Sequence, residues 1–314
     1  MMMITTIPAW LKTVLKFAIG IVIIVWLLFR FNPQEILDAL AGVQVSLLVV
    51  AIMVYAITLL LLSLRWRFIL RQMGYQVPVL VAYQGFVAGI LMSDMTPARV
   101  GEISRPLTIR DRVPAHAGLG SVFLDRYCDF VAIFLLGCGG LLLLSAAHSP
   151  GLLLMMTGVL SIPIVLLTAF WVKRSAVLNL VHIFRMPRLS SFASDLGEAM
   201  DALSHPVPTM GASILFTLLI WILQSLRVVL IALAAGFVLP IQELIFIQPL
   251  ISALALIPIS ISGLGFVEGG YVTVFAQYGI PAAAGFAIAL LDRVLTVGFH
   301  LVVGFRYALR TVGR

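Results

Sequence analysis

The chain has 314 residues, of which 62% are hydrophobic and only 11% charged, and its formal net charge is +7. A soluble domain carries roughly a quarter charged residues, so a soluble globular fold is excluded. Apolar runs long enough to cross a hydrocarbon core of about 30 Å as helices of ~20 residues, without strand-like alternation, argue against a β-barrel.

The fold class expected is an all-α polytopic membrane protein, with six full transmembrane helices plus two re-entrant helical hairpins in an inverted-topology repeat. Lys12 and Lys16 ahead of the apolar run 17–29 imitate a signal peptide. No small-residue cleavage site precedes Arg30-Phe31-Asn32-Pro33, so this first helix is expected to be retained. Full spans are expected at about 12–30, 44–66, 119–145, 151–172, 209–235 and 282–308.

Two further apolar stretches, 79–92 and 241–257, end differently. The first runs into Ser93-Asp94-Met95-Thr96-Pro97-Ala98-Arg99-Val100-Gly101-Glu102. The second runs into Pro258-Ile259-Ser260-Ile261-Ser262-Gly263-Leu264-Gly265-Phe266-Val267-Glu268. Each reads as a short helix broken by Pro and Gly, then a shorter return. Such a hairpin is tolerated at membrane depth only where its backbone is buried in protein or lines a wet cavity.

With both hairpins returning to their own side and the N-terminus in the cytoplasm, almost every Lys and Arg falls on the cytoplasmic side. Arg30 lands outside, and Arg126, Arg227 and Arg293 stay within spans. This asymmetry predicts a cytoplasmic (inner) membrane protein with both termini cytoplasmic. It also accounts for the net charge, so no nucleic-acid partner is expected. The loop at about 173–208 is too short for a catalytic domain.

Sliding the sequence along itself yields an ordered series of matches. Ser63-Leu64-Arg65 matches Ser225-Leu226-Arg227, Gly74-Tyr75 matches Gly236-Phe237, and Pro78 matches Pro240. Then come Pro97 against Pro258, Glu102 against Glu268, Leu124-Asp125-Arg126 against Leu291-Asp292-Arg293, and Gly137 against Gly304. The expected halves are 1–148 and 149–314, each reading span, span, hairpin, span. Three crossings per half would insert the second half upside down. Paired broken helices in such a repeat point to the hairpin tips as a transport site.

Ionisable groups at the centre of a span cost roughly 2.5–3.5 kcal/mol each on insertion scales, so they are functional candidates by default. The candidates for substrate binding are Arg126, Arg293, Arg227, Arg65 and Arg105, with Glu102, Glu268, Asp125, Asp292 and Asp129. The Asp-Arg couples read either as buried ion pairs joining the halves or as arginines holding a lipid phosphate through two parallel hydrogen bonds. Arg105 also reads as an ordinary interfacial anchor. Glu102 and Glu268 read as caps of the returning segments, or as proton carriers and partners of the arginines. At the tips, Pro97 and Pro258 break the helices, while Gly101, Gly263 and Gly265 allow close approach or positive φ. Free tip amides would suit a phosphate. His300 reads as a hydrogen-bonded histidine of the bundle rather than a ligand.

The stretch Thr96 to Glu102 with Arg105, the stretch Ser121-Val122-Phe123-Leu124-Asp125-Arg126-Tyr127-Cys128-Asp129, and the segment from Pro258 to Glu268 together resemble the signatures of the lysylphosphatidylglycerol synthase transmembrane-region family. The resemblance covers about residues 10–308. It implies a flippase-like domain, as in multiple peptide resistance factors, where a similar domain moves aminoacylated phosphatidylglycerol between leaflets. No transferase accompanies the spans in this sequence, so the resemblance implies lipid translocation rather than lysyl-lipid synthesis. The expected substrate is a membrane lipid, an anionic phospholipid or a lipid-linked head group. Two alternatives remain open. One is an integral-membrane glycosyl- or phosphotransferase, and the other a non-transporting subunit beside a lipid-modifying enzyme partner. Against the enzyme, no Asp-x-Asp pair, zinc-type His/Cys cluster or phosphate-binding G-x-x-x-x-G-K-[ST] loop is present. No cofactor or metal is expected. Cys128 and Cys138 lie in one apolar run and imply no disulfide.

Overall fold

A computed structural model of the chain describes residues 9–31, 33–96, 99–144, 205–257 and 259–312, with isolated positions between 151 and 203. Pro97 and Pro258, most of the expected span at 151–172 and most of the loop at 173–208 lie outside the described residues. The first elements in chain order are α1 Ala9–Arg30, α2 Pro33–Ala41, α3 Val45–Gln72, α4 Val79–Asp94, a 3₁₀ segment Val100–Thr108, and α5 Ala115–Leu144. After the central gap follow α6 Pro206–Ala234, α7 Ile241–Ala253 continued by a 3₁₀ turn Leu254–Leu256, α8 Phe266–Ala276 and α9 Ala282–Val312.

Among the described residues, Val45–Gln72, Pro206–Ala234 and Ala282–Phe305 are helices long and apolar enough to cross a membrane. The pair Ala18–Arg30 and Pro33–Ala41, bent by 84°, adds a fourth if taken as one span. The stretch expected at 119–145 lies within α5, whose first half carries Asp125, Arg126 and Asp129. The protein is a multi-pass helical membrane protein, and its polarity is arranged accordingly. Phe29, Leu215 and Val302 are 79%, 69% and 85% exposed, whereas Arg65, Arg105, Asp125 and Glu268 are at most 1% exposed. Apolar side chains face outward, where lipid solvates them, and the charges face inward.

The sequence matches between the halves have matching local structure. Gly74 and Gly236 take φ of 89° and 85°, the left-handed conformation that glycine adopts without a Cβ penalty. Each ends its helix in the same way: Tyr75 N donates to Leu70 O at 2.9 Å and Phe237 N to Ala232 O at 2.9 Å. These are the six-to-one bonds of a Schellman cap. Pro78 and Pro240 then stand at the N-caps of α4 and α7, where a missing N–H costs nothing.

Both broken segments fold back on themselves. Along the first hairpin, Gly101 lies against the Met92 backbone, Arg105 against Gly89 and Thr108 against Gly85, so the 3₁₀ segment runs antiparallel to α4. Along the second, Gly263 lies against Ala255 and Gly270 against Ile251. Further out, Tyr271 Oη accepts from Gln248 at 2.7 Å and Tyr278 Oη donates to Glu243 at 2.6 Å. At 16 and 13 residues, α4 and α7 reach only ~24 and ~20 Å at 1.5 Å per residue. Both fall short of the ~30 Å hydrocarbon core.

The largest helix–helix interface joins α3 to α6, the corresponding helices of the two halves. Around it, each hairpin packs on the other half: α4 lies against α9, and α7 against α5. Glycines allow the approach, with Gly304 of α9 against Val87, and Gly139 and Gly140 of α5 against Phe246. The core thus lies between the halves, and the charges lie within it.

One substitution pair tests the hairpin packing. A Cβ at Gly101 would collide with the backbone of Met92 and Ser93, while one at Gly211, in α6, would meet nothing within 4 Å. Gly101→Ala is expected to lower the thermal midpoint in detergent. Gly211→Ala should leave it unchanged or raise it by the helix-propensity gain of up to about 1 kcal/mol. Thermal unfolding of the two variants beside the parent checks the opposite signs.

Candidate functional site

Ionisable side chains from both halves converge on one cavity of about 170 Å³. The pairing inside it repeats a rule. In the first half, Asp125 of α5 accepts from Arg65 of α3 at 2.9 Å and from Arg105 of the hairpin at 2.8 Å. In the second, Asp292 of α9 pairs with Arg227 of α6 at 3.2 Å. The arginine next in sequence to each Asp takes a different partner, the glutamate of its own hairpin. Arg126 meets Glu102 at 2.8 Å, and Arg293 pairs with Glu268.

The sequence suggests Asp125-Arg126 and Asp292-Arg293 as couples, and the structure corrects that. Consecutive residues of a helix do not face one another, and Arg126 lies 4.0 Å from Asp125 but 2.8 Å from both Glu102 and Asp129. Asp129 also pairs with Arg65.

Contacts across the α3–α6 interface also correspond. Arg65 donates to Thr217 Oγ1 of the other half, and the Arg227 guanidinium lies 4.8 Å from the centre of the Tyr55 ring of its opposite half. Thr217 and Tyr55 each stand ten positions before the arginine of their own helix. Sequence reasoning missed both. The shared offset could have revealed them, but a Thr facing a Tyr leaves no signal in a search for like residues.

The hairpins hold the glutamates in two ways. Glu102 pairs with Arg105 as well as Arg126. Glu268 accepts the Gly265 amide at 2.7 Å, closing a capping box at the start of α8. The Gly101 amide donates to Thr96 Oγ1 at 2.8 Å. The Gly265 and Gly101 tip amides are therefore engaged within the hairpins, since buried N–H groups must find partners. Gly263 and Gly265 take φ of 68° and 86°, and Gly265 packs under Ile23 of α1. Arg105 is not an interfacial anchor: it is fully buried and lies 3.8 Å from the centre of the Phe86 ring. At the corresponding positions of the second half stand Tyr271 and Gln248, hydrogen-bonded to each other.

The cavity itself is lined from both halves, with Glu102, Arg126 and Asp129 on one side and Arg227, Glu268, Asp292 and Arg293 on the other. Arg126 and Arg293 are the candidate cations that reach open space, with side chains 24% and 20% exposed. Arg65, Arg105 and Asp125 back this lining without reaching it. Further wall residues escaped the sequence analysis. Ser93, Trp221 and Gln224 present buried polar atoms with no hydrogen-bond partner among the described residues. Arg99, in the left-handed conformation at φ 56°, makes no ion pair among the described residues. His300 forms a chain, its Nδ1 bonded to Asp94 at 2.6 Å and its Nε2 to the Tyr55 hydroxyl. It is the hydrogen-bonded bundle histidine expected, and it lines the same cavity. Counting wall and backing together, six described arginines (65, 99, 105, 126, 227 and 293) face six described carboxylates (94, 102, 125, 129, 268 and 292).

Among known proteins, the chain is similar over nearly its whole length to small membrane proteins. UPF0104 membrane protein PH1989 of Pyrococcus horikoshii is 22% identical, covering 94% of this chain and 96% of the relative. A UPF0104 membrane protein of Methanothermobacter thermautotrophicus is 24% identical, covering 92% and 90%. Glycosyltransferase AglD of Haloferax volcanii is 24% identical over 96% of this chain, which spans 53% of that relative. No solved structure matches. Residues 13–304 match the family described as the lysylphosphatidylglycerol synthase TM region, and the chain belongs to that family.

Proposed function

We propose that the protein moves an anionic phospholipid or lipid-linked head group between membrane leaflets through the cavity between its two halves. One observation carries this reading. Two arginines at corresponding positions, Arg126 and Arg293, reach open space inside a cavity built by both halves, each held by the glutamate of its own hairpin. A guanidinium offers a phosphate two parallel hydrogen bonds, and a glutamate partner keeps it neutralised while the site is empty. The head group would be desolvated inside, and the acyl tails would remain in lipid.

The repeat supplies the movement. Matching caps at Gly74 and Gly236, matching hairpins and reciprocal packing support two equivalent halves of six full spans and two re-entrant hairpins, inserted with opposite topology. Rocking of one half against the other would open the site first to one face and then to the other. On this reading the protein sits in the cytoplasmic membrane with both termini in the cytoplasm, following the bias of its Lys and Arg. A second reading, a membrane subunit assisting a lipid-modifying enzyme, draws on the relative named a glycosyltransferase.

Two experiments test the proposal. In a background lacking Cys128 and Cys138, single cysteines at Val79 and Ala115 should both label from the cytoplasm, and cysteines at Val238 and Gln277 both from outside. Labelling of either pair from opposite faces would remove the re-entrant hairpins. For transport, proteoliposomes carrying a head-group-labelled anionic lipid in one leaflet should equilibrate it faster than empty vesicles. Arg126→Lys and Arg293→Lys should insert and fold yet slow that exchange about tenfold or more, because Lys lacks the planar fork. Exchange no faster than in empty vesicles, across phospholipids and polyprenyl-phosphate lipids, would favour the subunit reading.

A further inference from the structure

The charge balance of the cavity leaves one group unassigned. Six arginines and six carboxylates among the described residues cancel, so with neutral imidazole the site has no surplus positive charge to meet an anion. Bringing a phosphate into a buried site without compensation would leave a net buried charge, which is strongly unfavourable. His300 is the remaining ionisable base in the wall, 4% exposed, and histidine is the side chain that ordinarily gains or loses its proton between about pH 5 and 8.

Its surroundings suit a proton that comes and goes. As neutral imidazole, His300 donates Nδ1–H to Asp94 and accepts the Tyr55 hydroxyl hydrogen at Nε2. As imidazolium it donates from both nitrogens, and the Tyr55 oxygen becomes an acceptor. Neither partner is lost in either state. Protonating Glu102 or Glu268 would instead break an ion pair with Arg126 or Arg293. The charged groups facing His300 are Asp94 from α4, Arg99 beyond it and Arg227 from α6, which reaches Tyr55 of α3. Asp292 and Arg293 lie on its own helix, and Glu268 and Tyr271 of α8 share the cavity. Helix α2 meets α9 around Ala283 and Phe286, several turns away, and adds no charge here.

We infer that His300 takes up one proton for each singly charged phosphodiester head group the cavity admits, so that anion and proton enter the site together. This rests on the proposed function and narrows it. The preferred substrate carries one negative charge at the phosphate, and its movement is linked to protons. A phosphomonoester, approaching two negative charges, would need a second proton or remain unbalanced. The chain Asp94–His300–Tyr55 joins the two halves but occurs once, without a counterpart in the repeat. Counted by the repeat offsets, Ala255, Ile133 and Thr217 stand at the corresponding positions, which gives the two halves different roles in the cycle.

The test uses the full protein in detergent with dihexanoyl phosphatidylglycerol, a monoanion across the pH range, as the probe. On the alkaline side of the accessible pH range, log Kd should rise with pH at a slope of about one, and binding there should take up about one proton per anion from weakly buffered solution. His300→Gln, which keeps a hydrogen-bonding side chain but cannot titrate, should abolish both the slope and the uptake. If that variant does not fold, the wild-type slope decides, together with one of the five histidines moving to its protonated nitrogen-15 shift when the anion is added. Binding that is flat with pH and releases or takes up no proton overturns this inference while leaving the transport reading intact. An unchanged slope in His300→Gln also overturns it, placing the proton on another group. Absence of anion binding at every pH contradicts both.

Discussion

The buried charges among these apolar helices are held by opposite charges at hydrogen-bond distance, and the architecture follows from that pairing. An unpaired ion in such an interior costs several kcal/mol even after relaxation. Here each pairing rule joins elements far apart in sequence: Asp125 ties α5 to α3 and to the first hairpin, and Asp292 ties α9 to α6. Each hairpin glutamate then fastens the tip to the arginine of its own last helix. The hairpins are held at their tips by ion pairs and along their lengths by close backbone contact. The glycines that permit that contact serve the charge network as much as the packing.

Balanced pairing also shapes what the cavity can do. A cluster with equal numbers of both signs carries no net charge when empty, so it is not held open by an uncompensated ion. An incoming anion must take a partner from a carboxylate or arrive with a proton, and both outcomes give binding a built-in counter-movement. Arg126 and Arg293 are suited to exchange partners because they are partly open to the cavity, whereas Arg65 and Arg105 are sealed behind it. The inner arginines fix the frame, and in the proposed function the outer pair exchanges its carboxylate partners for the head group.

Much of the fold was legible in the sequence because its markers are local. Gly74 and Gly236 are needed for left-handed caps, and Pro78 and Pro240 stand at helix starts, so the same local structure carries the same letters at nearly the same spacing in both parts of the chain. The charged candidates were legible because ionisable residues are scarce in apolar spans. Their pairing was not, since adjacency in sequence places Asp125 and Arg126 on different helix faces and their partners sit on other helices. Nor were Tyr55 and Thr217, or Arg105 on Phe86 against Tyr271 on Gln248, where equivalent positions carry different chemistry. The His300 chain was invisible for the same reason: Asp94 and Tyr55 lie 206 and 245 residues away.

The central claim is that the cavity between the halves holds a phosphate-bearing lipid head group on Arg126 and Arg293. Native mass spectrometry of the purified protein tests it most directly. The account predicts one anionic, phosphate-bearing lipid retained per chain under conditions that strip annular lipid, and its loss when Arg126 and Arg293 are both replaced by Gln. Equal retention of the same lipids by that double variant, or retention of neutral lipids alone, would contradict it.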